Sequence, residues 1–368
     1  MKSLFYFISI TTLFVIISSS LFASGTGETE QAPAQKIEYT EQQKIETRTD
    51  NSKSMLLKKD FDNAVREQDL IKALDVWQIA KDYMLESDNE DISETFDFIE
   101  NTINDYFSDI SFEKISAPAP TIKGKSFKSS FSVRIVSKEN KVNPLKLKYS
   151  VTYPSVDAEG KKITTTKILE PAEDGTVEFM SPVLDYAVSS FATFKLDIPP
   201  NVYENFENAP SIDLPFLVAT NMKSSGGSIS IVDFSKAGKP ITSNSETSSA
   251  VLTELIKKGF TRIGNCDFVN EVVSKNDAAV QRSAVELFGK SVTYLIYGTV
   301  KYETIEKTEN GIHVILKAEL KVRNILQNKE LLFTTVLSEA TEKTEWAAIN
   351  AARKKLALLT SDKILYGM

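Results

Sequence analysis

The sequence predicts an α+β multidomain protein, and three successive changes of pattern along its 368 residues support this fold class. Apolar residues first recur at spacings of three and four, which is typical of helices. They then alternate with polar residues, as they do in half-buried strands. In the last third the two patterns are mixed. We therefore predict an N-terminal helical segment, a β-sandwich, and a C-terminal α/β sandwich with a mixed sheet.

The first residues have the features of an export signal. A lysine precedes an almost continuous apolar or hydroxyl run over 4–17, and small or tolerated residues follow at the positions that a signal peptidase recognises. We predict a signal peptide over 1–23 with cleavage between Ala23 and Ser24, and no transmembrane span after its removal. An uncleaved anchor is the alternative. No cysteine lies near this site, so we expect a periplasmic or secreted protein without a lipid anchor.

Composition excludes several classes of function. The formal charge of −7 is spread along the chain without a basic block, which disfavours binding to nucleic acid. The only cysteine, Cys266, leaves no intramolecular disulfide to form. The only histidine, His313, cannot build a Ser-His-Asp triad or a site with several histidines. We therefore predict no catalytic, cofactor-binding or metal site.

Before the first strand, two segments differ in composition. Residues 24–51 are rich in Glu, Gln, Thr and Lys, and we expect a flexible leader because such a segment buries little apolar surface. Residues 52–110 show helical periodicity, with breaks at 68–69 and 88–91 that predict three short helices. A helical cap is the simpler interpretation, and a single hairpin of the tetratricopeptide type is the alternative.

Residues 111–222 predict an immunoglobulin-like β-sandwich. Six or seven short strands alternate apolar and polar residues, and turn sequences at 157–160 and 173–175 separate some of them. The Cys and Trp positions that mark true immunoglobulin domains are missing, so the likeness is one of architecture. Such a domain would serve as a spacer or an adhesive surface. A Ser- and Gly-rich stretch, 223–227, is predicted to be a linker.

The segment 228–368 predicts the α/β domain. Tight turns are expected at Asn310-Gly311 and at Gln327-Asn328. The predicted elements, in order, are a strand over 229–234, a helix over 245–258, a strand over 260–267, a helix over 278–288, strands over 292–302, 312–324 and 331–337, and a helix over 344–359.

Four strings in this segment carry a resemblance to a known family. They are ISIVDF (229–234), AVLTELIKKG (250–259), FTRIGNCDFVNEV (260–272) and YLIYGTV (294–300). Together they resemble the α/β domain shared by the curli secretion lipoprotein, the LpoB-type activators of penicillin-binding proteins, FlgT and the TolB N-terminal domain. The resemblance covers about 140 residues and implies protein binding at the cell envelope.

A few residues in this domain could carry chemistry. Asp233, Glu246 and Asp267 could cluster at strand ends as the paired carboxylates of a glycosidase. Cys266 is either a small buried thiol or a reactive one. His313 is expected on a plain sheet face. Tyr294 and Tyr297 should point to opposite faces of one strand, so at most one is exposed. The charged residues near the last helix are expected to form a solvated face: Glu339, Lys343, Glu345, Arg353, Lys354 and Lys355.

These observations favour an exported, non-enzymatic accessory protein of the envelope that needs no cofactor. Its α/β domain would bind an envelope protein in cell-wall synthase regulation or in flagellar or secretion assembly, and self-association is a further option. Two alternatives stay open. One is a secreted glycan-acting hydrolase with the sandwich as its accessory module, and the other is a surface adhesin.

Overall fold

A computed structural model describes residues 41–243 and 245–368. The chain divides into two compact units, Met1–Arg48 and Thr49–Met368, and all elements below except the start of the first helix belong to the second unit. The predicted signal peptide and its cleavage site at Ala23 and Ser24 lie outside the described residues.

Three helices come first: α1 Glu41–Arg66, α2 Leu70–Glu86 and α3 Glu90–Asp109. The breaks between them fall where the sequence predicts. The side chain of Asp69 accepts a hydrogen bond from the Lys72 amide and caps α2, and Asn89 caps α3 in the same way through Asp91. The leader prediction is wrong for residues 41–51, which are the first turns of α1. Glu, Gln and Lys are good helix formers, so the polar composition of this stretch is compatible with a helix.

Eight strands and one short helix follow. Their bounds are β1 Ile110–Ser116, β2 Thr121–Ile122, β3 Phe131–Ser137, β4 Tyr149–Val156, β5 Lys162–Leu169, β6 Thr176–Phe179, β7 Val188–Leu196, α4 Pro200–Asn205 and β8 Ser211–Ala219.

These strands form two facing sheets, in the orders β1-β3-β6 and β2-β8-β7-β4-β5. The β2–β8 pair is parallel and every other pair is antiparallel. The sheets pack face to face through aromatic rings: Phe131 of the first stacks on Phe216 of the second, with 5.4 Å between ring centroids. This strand order is that of an immunoglobulin-like sandwich, which confirms the predicted architecture.

The helices and the sandwich share one hydrophobic core. Trp77 of α2 is fully buried, and its ring lies 5.0 Å from that of Phe206, which follows α4. The ring of Phe107 of α3 also packs against Phe206, with 5.3 Å between the ring centroids. The three helices therefore cover one end of the sandwich, and the core does not stop at the predicted boundary between residues 110 and 111.

The remaining elements form the α/β domain. They are β9 Gly227–Asp233, α5 Glu246–Lys257, β10 Ile263–Asn265, α6 Val269–Val273, α7 Asp277–Phe288, β11 Tyr294–Thr308, β12 Gly311–Asn324, β13 Lys329–Glu342 and α8 Glu345–Gly367.

Their sheet has the order β10-β9-β11-β12-β13. The strand β9 runs parallel to both of its neighbours, whereas β11, β12 and β13 form an antiparallel meander. The helices α5 and α8 pack on one face, and α6 and α7 pack on the other, over β9 and the start of β11. The sheet is therefore mixed and covered by helices on both faces, as predicted.

Several bounds differ from the predicted ones. The last helix continues to Gly367 instead of ending near 359, because Ile364 and Leu365 of its last turns are buried in the core of the α/β domain. The strand β10 is shorter than predicted, and β13 is longer. Among the described helices, none is both long and apolar enough to cross a membrane.

The two glycines of the predicted linker are explained by close packing. A Cβ on Gly226 would lie 2.3 Å from the carbonyl oxygen of Ser291, and one on Gly227 would lie 2.2 Å from the ring of Tyr294. Gly227 already pairs with β10 and β11 as the first residue of β9. Next to this segment, the amide of Thr220 donates to the carbonyl of Leu365 in α8. The sandwich therefore passes directly into the sheet of the α/β domain.

Candidate functional site

Asp233, the first of the three predicted carboxylates, ends β9 and is buried. Its Oδ2 accepts a hydrogen bond from the hydroxyl of Ser245 at 3.0 Å and from the amide of Thr247 at 3.1 Å. Both donors belong to the start of α5, so Asp233 joins the end of the strand to the helix that follows it. A carboxylate next to a helix N-terminus is also favoured by the helix dipole.

The other two carboxylates also make local contacts. Glu246 forms an ion pair with Arg353 of α8, and the Oδ1 of Asp267 accepts from the amide of Val269 at the start of α6. Glu246 and Asp267 line one crevice of about 820 Å³ at the carboxyl ends of β9 and β10, but Asp233 does not line it. The structure thus brings two of the three predicted residues to one crevice and gives each of the three a role in holding a helix.

Cys266 and His313 both have partners in the sheet. The thiol of Cys266 donates to the carbonyl oxygen of Ile229 at 3.4 Å, and burial raises its pKa to about 11. The Nδ1 of His313 lies 2.9 Å from the hydroxyl of Thr341 on the neighbouring strand. Within the described ranges, no three His, Cys, Asp or Glu residues are grouped so that they could hold a metal ion.

Tyr294 and Tyr297 point to opposite faces of β11, and both are buried. Tyr294 faces α5 and α8, whereas Tyr297 faces α7 and belongs to a polar network. The hydroxyl of Tyr297 donates to Oδ1 of Asp277 at 3.0 Å, and Lys321 of β12 forms an ion pair with Oδ2 of the same carboxylate. Asp277 therefore fixes the first turn of α7 to two strands at once.

Electrostatics keep this network charged at neutral pH. Burial alone would raise the pKa of Asp277, but the hydrogen bonds from Lys321 and Tyr297 and the charges of Lys321 and Arg323 outweigh it and lower that pKa below its usual value. Burial, followed by the hydrogen bond and the negative charge of Asp277, raises the pKa of Tyr297. The hydroxyl therefore acts as a neutral donor to an ionised carboxylate.

A cleft of about 460 Å³ opens beside this network. Its walls come from α6 and α7 on one side and from β11, β12 and β13 on the other. The residues that bear on its chemistry are Lys275, Asp277, Thr299, Glu319, Lys321 and Glu330. The cleft carries charges of both signs, and the exposed ring of Phe333 also lines it. The cleft marks the line at which the helices stop covering the sheet.

A third feature lies on the opposite helical layer. Trp346, in the first turn of α8, is 77% exposed. It borders a groove of about 590 Å³ between α5 and α8, with small side chains at Ala250, Ala347 and Ala351. The ion pair of Glu246 with Arg353 closes one side of this groove, and the side chain of Arg353 is only 15% exposed. A large apolar ring thus stands beside a shallow groove with Ala side chains.

Trp346 is not among the site residues predicted from the sequence. Its spacing from Asn350 and Lys354, four and eight residues on, places it on the polar face of the helix, and that signal was present in the sequence. The predicted solvated face is correct for the exposed Lys354 and Lys355. It is wrong for Arg353, which is largely buried in its ion pair with Glu246.

Three solved structures are similar to this chain at low identity. The PelC dodecamer from Paraburkholderia phytofirmans matches over 40% of this chain and 91% of its own, with 10% identity and a TM-score of 0.29. Protein CT253 of Chlamydia trachomatis matches over 38% and 94%, with 10% identity and a TM-score of 0.24. Lipoprotein GNA1162 of Neisseria meningitidis matches over 36% and 98%, with 10% identity and a TM-score of 0.22. At TM-scores this low, none of the three supports an inference about this chain.

A comparison with curated proteins finds no match. One family model matches residues 226–365, which correspond closely to the predicted α/β domain. It describes the C-terminal domain of lipoproteins, which supports the envelope localisation that we expected. The curli secretion, LpoB, FlgT and TolB families named from the sequence are not the family that matches. Residues 226–365 are similar to the C-terminal domain of TP0693-like lipoproteins, a domain of bacterial envelope proteins.

Proposed function

We propose that this protein is a non-enzymatic accessory protein of the bacterial envelope that binds a partner protein through its C-terminal α/β domain. The partner would be a cell-wall synthase or a component of flagellar or secretion assembly. The observation that carries the proposal is the exposure of Trp346, 77%, beside a groove with Ala side chains. Trp is strongly enriched among the residues that dominate binding energy at protein interfaces.

The groove is suited to a protein segment with an apolar anchor. The backbone that carries Trp346 is held in place, because the hydroxyl of Thr344 caps the amide of Ala347 and the next residue, Ala348, is fully buried. A rigid ring loses little conformational entropy on binding. The charges of Glu246 and Arg353 neutralise each other in their ion pair. A partner would therefore contact this groove mainly through apolar atoms.

The carboxylates of the hydrolase alternative are engaged elsewhere. Asp233 and Asp267 each accept hydrogen bonds from the backbone of a following helix, and Glu246 is paired with Arg353. A glycosidase needs one carboxyl group free to donate a proton and a second one facing it across the substrate. This arrangement favours binding over hydrolysis.

The test compares two substitutions on α8. The full chain is cross-linked in envelope extract, each captured protein is identified and purified, and its dissociation constant is measured for the wild type, Trp346→Ala and Leu358→Ala. Leu358 is the matched control, because it is also exposed, at 46%, and lies on the same helix away from the groove. We expect Trp346→Ala to weaken binding by about 30-fold. Leu358→Ala should leave the affinity within about threefold.

Two results would overturn the proposal. One is that no purified candidate binds the wild-type chain, and the other is that Trp346→Ala binds as tightly as the wild type does. Thermal unfolding of both variants checks that they are folded. Because Trp346 is largely exposed, its replacement should leave the unfolding temperature unchanged.

A further inference from the structure

The cleft between α7 and the sheet of the α/β domain has the size of a ligand site. Its volume of about 460 Å³ lies in the range of small-molecule sites, roughly 300–1,000 Å³. Val272 and Val280, both buried, line it on the helical side, and the ring of Phe333 lines it on the strand side. The cleft therefore has apolar walls, and the polar groups between them come from the sheet.

Thr299 of β11 places in this cleft a polar group that the fold does not use. The residue is only 7% exposed, and it points to the same face of β11 as Tyr297, two residues earlier. The hydroxyl of Tyr297 donates to Asp277, but among the described residues none forms a hydrogen bond with the hydroxyl of Thr299. A buried hydroxyl without a partner is unfavourable. Its position in the cleft therefore indicates that a bound group supplies the partner.

Glu319 of β12 places a negative charge next to this hydroxyl. It pairs directly with Thr299 across the two antiparallel strands, and Cβ atoms of such pairs lie about 4.5–5.5 Å apart. The ammonium group of Lys317 is 3.4 Å from the carboxylate of Glu319, but it is shared with Glu303 at 3.6 Å. Lys317 therefore neutralises Glu319 only in part, and a small group between Thr299 and Glu319 would contact both side chains.

The charges that line the cleft favour a cation. Four carboxylates line it against two ammonium groups, which belong to Glu271, Asp277, Glu319, Glu330, Lys275 and Lys321. Lys321 is already paired with Asp277, and Lys275 is exposed to solvent. Within the described part of the chain, neither Glu271 nor Glu330 has a cationic partner, although Glu271 accepts from the hydroxyl of Ser283. An anionic ligand would therefore be repelled.

We propose that this cleft binds a primary ammonium group on an aliphatic stem, such as a lysine side chain of another protein or a free diamine. The ammonium group would donate to the hydroxyl of Thr299 and to the carboxylate of Glu319. The stem would lie along Val272 and Val280. An ammonium group has three donors and no acceptor, so a hydroxyl beside a carboxylate suits it, and hydrogen bonds from a charged donor are among the stronger ones.

Three probes test the chemistry of the ligand on the full chain by ligand-observed NMR. N-acetyl-lysine methylamide represents a lysine of a protein, and cadaverine represents a free diamine. N-acetyl-norleucine methylamide has the same stem as lysine without the ammonium group. We expect at least one charged probe to bind with a dissociation constant on the order of 1 mM, because the contact is small and partly exposed. The norleucine probe should bind at least about tenfold more weakly.

The relative affinity of the two charged probes identifies the source of the ammonium group. Tighter binding of the lysine amide supports a protein lysine as the ligand, and tighter binding of cadaverine supports a free diamine.

Two substitutions test the contacts. Thr299→Val removes the hydroxyl and keeps the shape of the side chain, and Glu319→Gln removes the charge. Each should weaken binding of the tighter probe at least about fivefold. Glu303→Gln is the matched control, because Glu303 also contacts Lys317 but does not line the cleft, and its affinity should stay within about twofold of the wild type.

Thermal unfolding separates a ligand contact from a structural one. Because no described residue bonds to the hydroxyl of Thr299, Thr299→Val should not lower the unfolding temperature. A lower temperature would show that the chain already satisfies this hydroxyl, and it would overturn the proposal.

Three binding results would also overturn it. They are the failure of both charged probes to bind at about 20 mM, equal binding of the norleucine probe, and unchanged binding by Thr299→Val or Glu319→Gln. The proposal does not rest on the proposed function. The cleft lies on the face of the sheet that α6 and α7 cover, and the groove of Trp346 lies on the other helical layer, so Trp346→Ala should leave the affinity for the probes unchanged.

Discussion

Gly298, in the middle of the YLIYGTV string, provides a sharp test of how the sheet of the α/β domain is built. Its φ is +155°, and a Cβ at this position would lie 2.0 Å from the carbonyl oxygen of Glu319 and 2.9 Å from the Cα of Leu320. Both are backbone atoms of β12. Because β11 is paired on both sides, neither strand can move away without breaking its ladder.

We therefore expect Gly298→Ala to lower the free energy of unfolding by about 2–5 kcal/mol. Overpacking of a fixed site costs about 1–3 kcal/mol, and an unfavourable backbone conformation adds about 1–2 kcal/mol. Urea unfolding followed by circular dichroism measures the loss.

The matched control is Gly264→Ala in β10. A Cβ at Gly264 meets nothing within 4 Å, and its φ is not positive, so this variant should stay within about 0.5 kcal/mol of the wild type. If Gly298→Ala lowered the free energy of unfolding as little as Gly264→Ala does, the close approach of the Glu319 carbonyl and the rigidity inferred for β11 would both be refuted.

Three further predictions concern the polar contacts of the α/β domain. Asp277→Asn should cost about 1–2 kcal/mol at pH 7 in thermal or urea unfolding. Because folding lowers the pKa of Asp277, the wild type should lose its extra stability over this variant as the pH falls below 3.8. If the stability difference between the two proteins did not change with pH, the inference would be contradicted. Cys266 should react slowly with a thiol reagent at pH 7.5 and rapidly in urea, and rapid labelling of the folded chain would count against the raised pKa of its half-buried thiol. Asp233→Ala should lower stability by about 2–3 kcal/mol, since it leaves the amide of Thr247 without its acceptor, and a stable variant would show that water replaces the carboxylate.

The spacing of apolar residues predicted most of the architecture, because a helix or strand that buries one face must repeat its apolar residues at a fixed spacing. Alternating Phe131, Val133 and Ile135 face the sandwich core as expected. Element ends were less predictable, since they depend on distant contacts. The hydroxyls of Thr360 and Ser361 suggest a helix stop, yet both residues are fully buried inside α8. The polar residues of 41–51 suggest a leader, yet they form the start of a long helix.

The sites were harder to predict than the fold. Lys321 and Asp277 are far apart in sequence and meet only because α7 crosses β11 and β12. Asp233 was identified correctly as a residue at a strand end, but its hydrogen bonds to the start of α5 give it a structural role. A spacing rule can place a carboxylate at a sheet edge, but it cannot tell whether a nearby amide will occupy it.

The packing of Trp77 against Phe206 has a consequence for how the chain acquires its structure. Roughly 130 residues separate the two rings, and at typical rates of synthesis the second one emerges about 6–26 s after the first. The helices α2 and α3 can form early, but their apolar side stays uncovered until α4 is made. A chaperone that shields this helical pair during that interval would raise the yield of folded protein. Substitutions at Phe206 should therefore increase aggregation of newly made chains more than they slow refolding of the complete one.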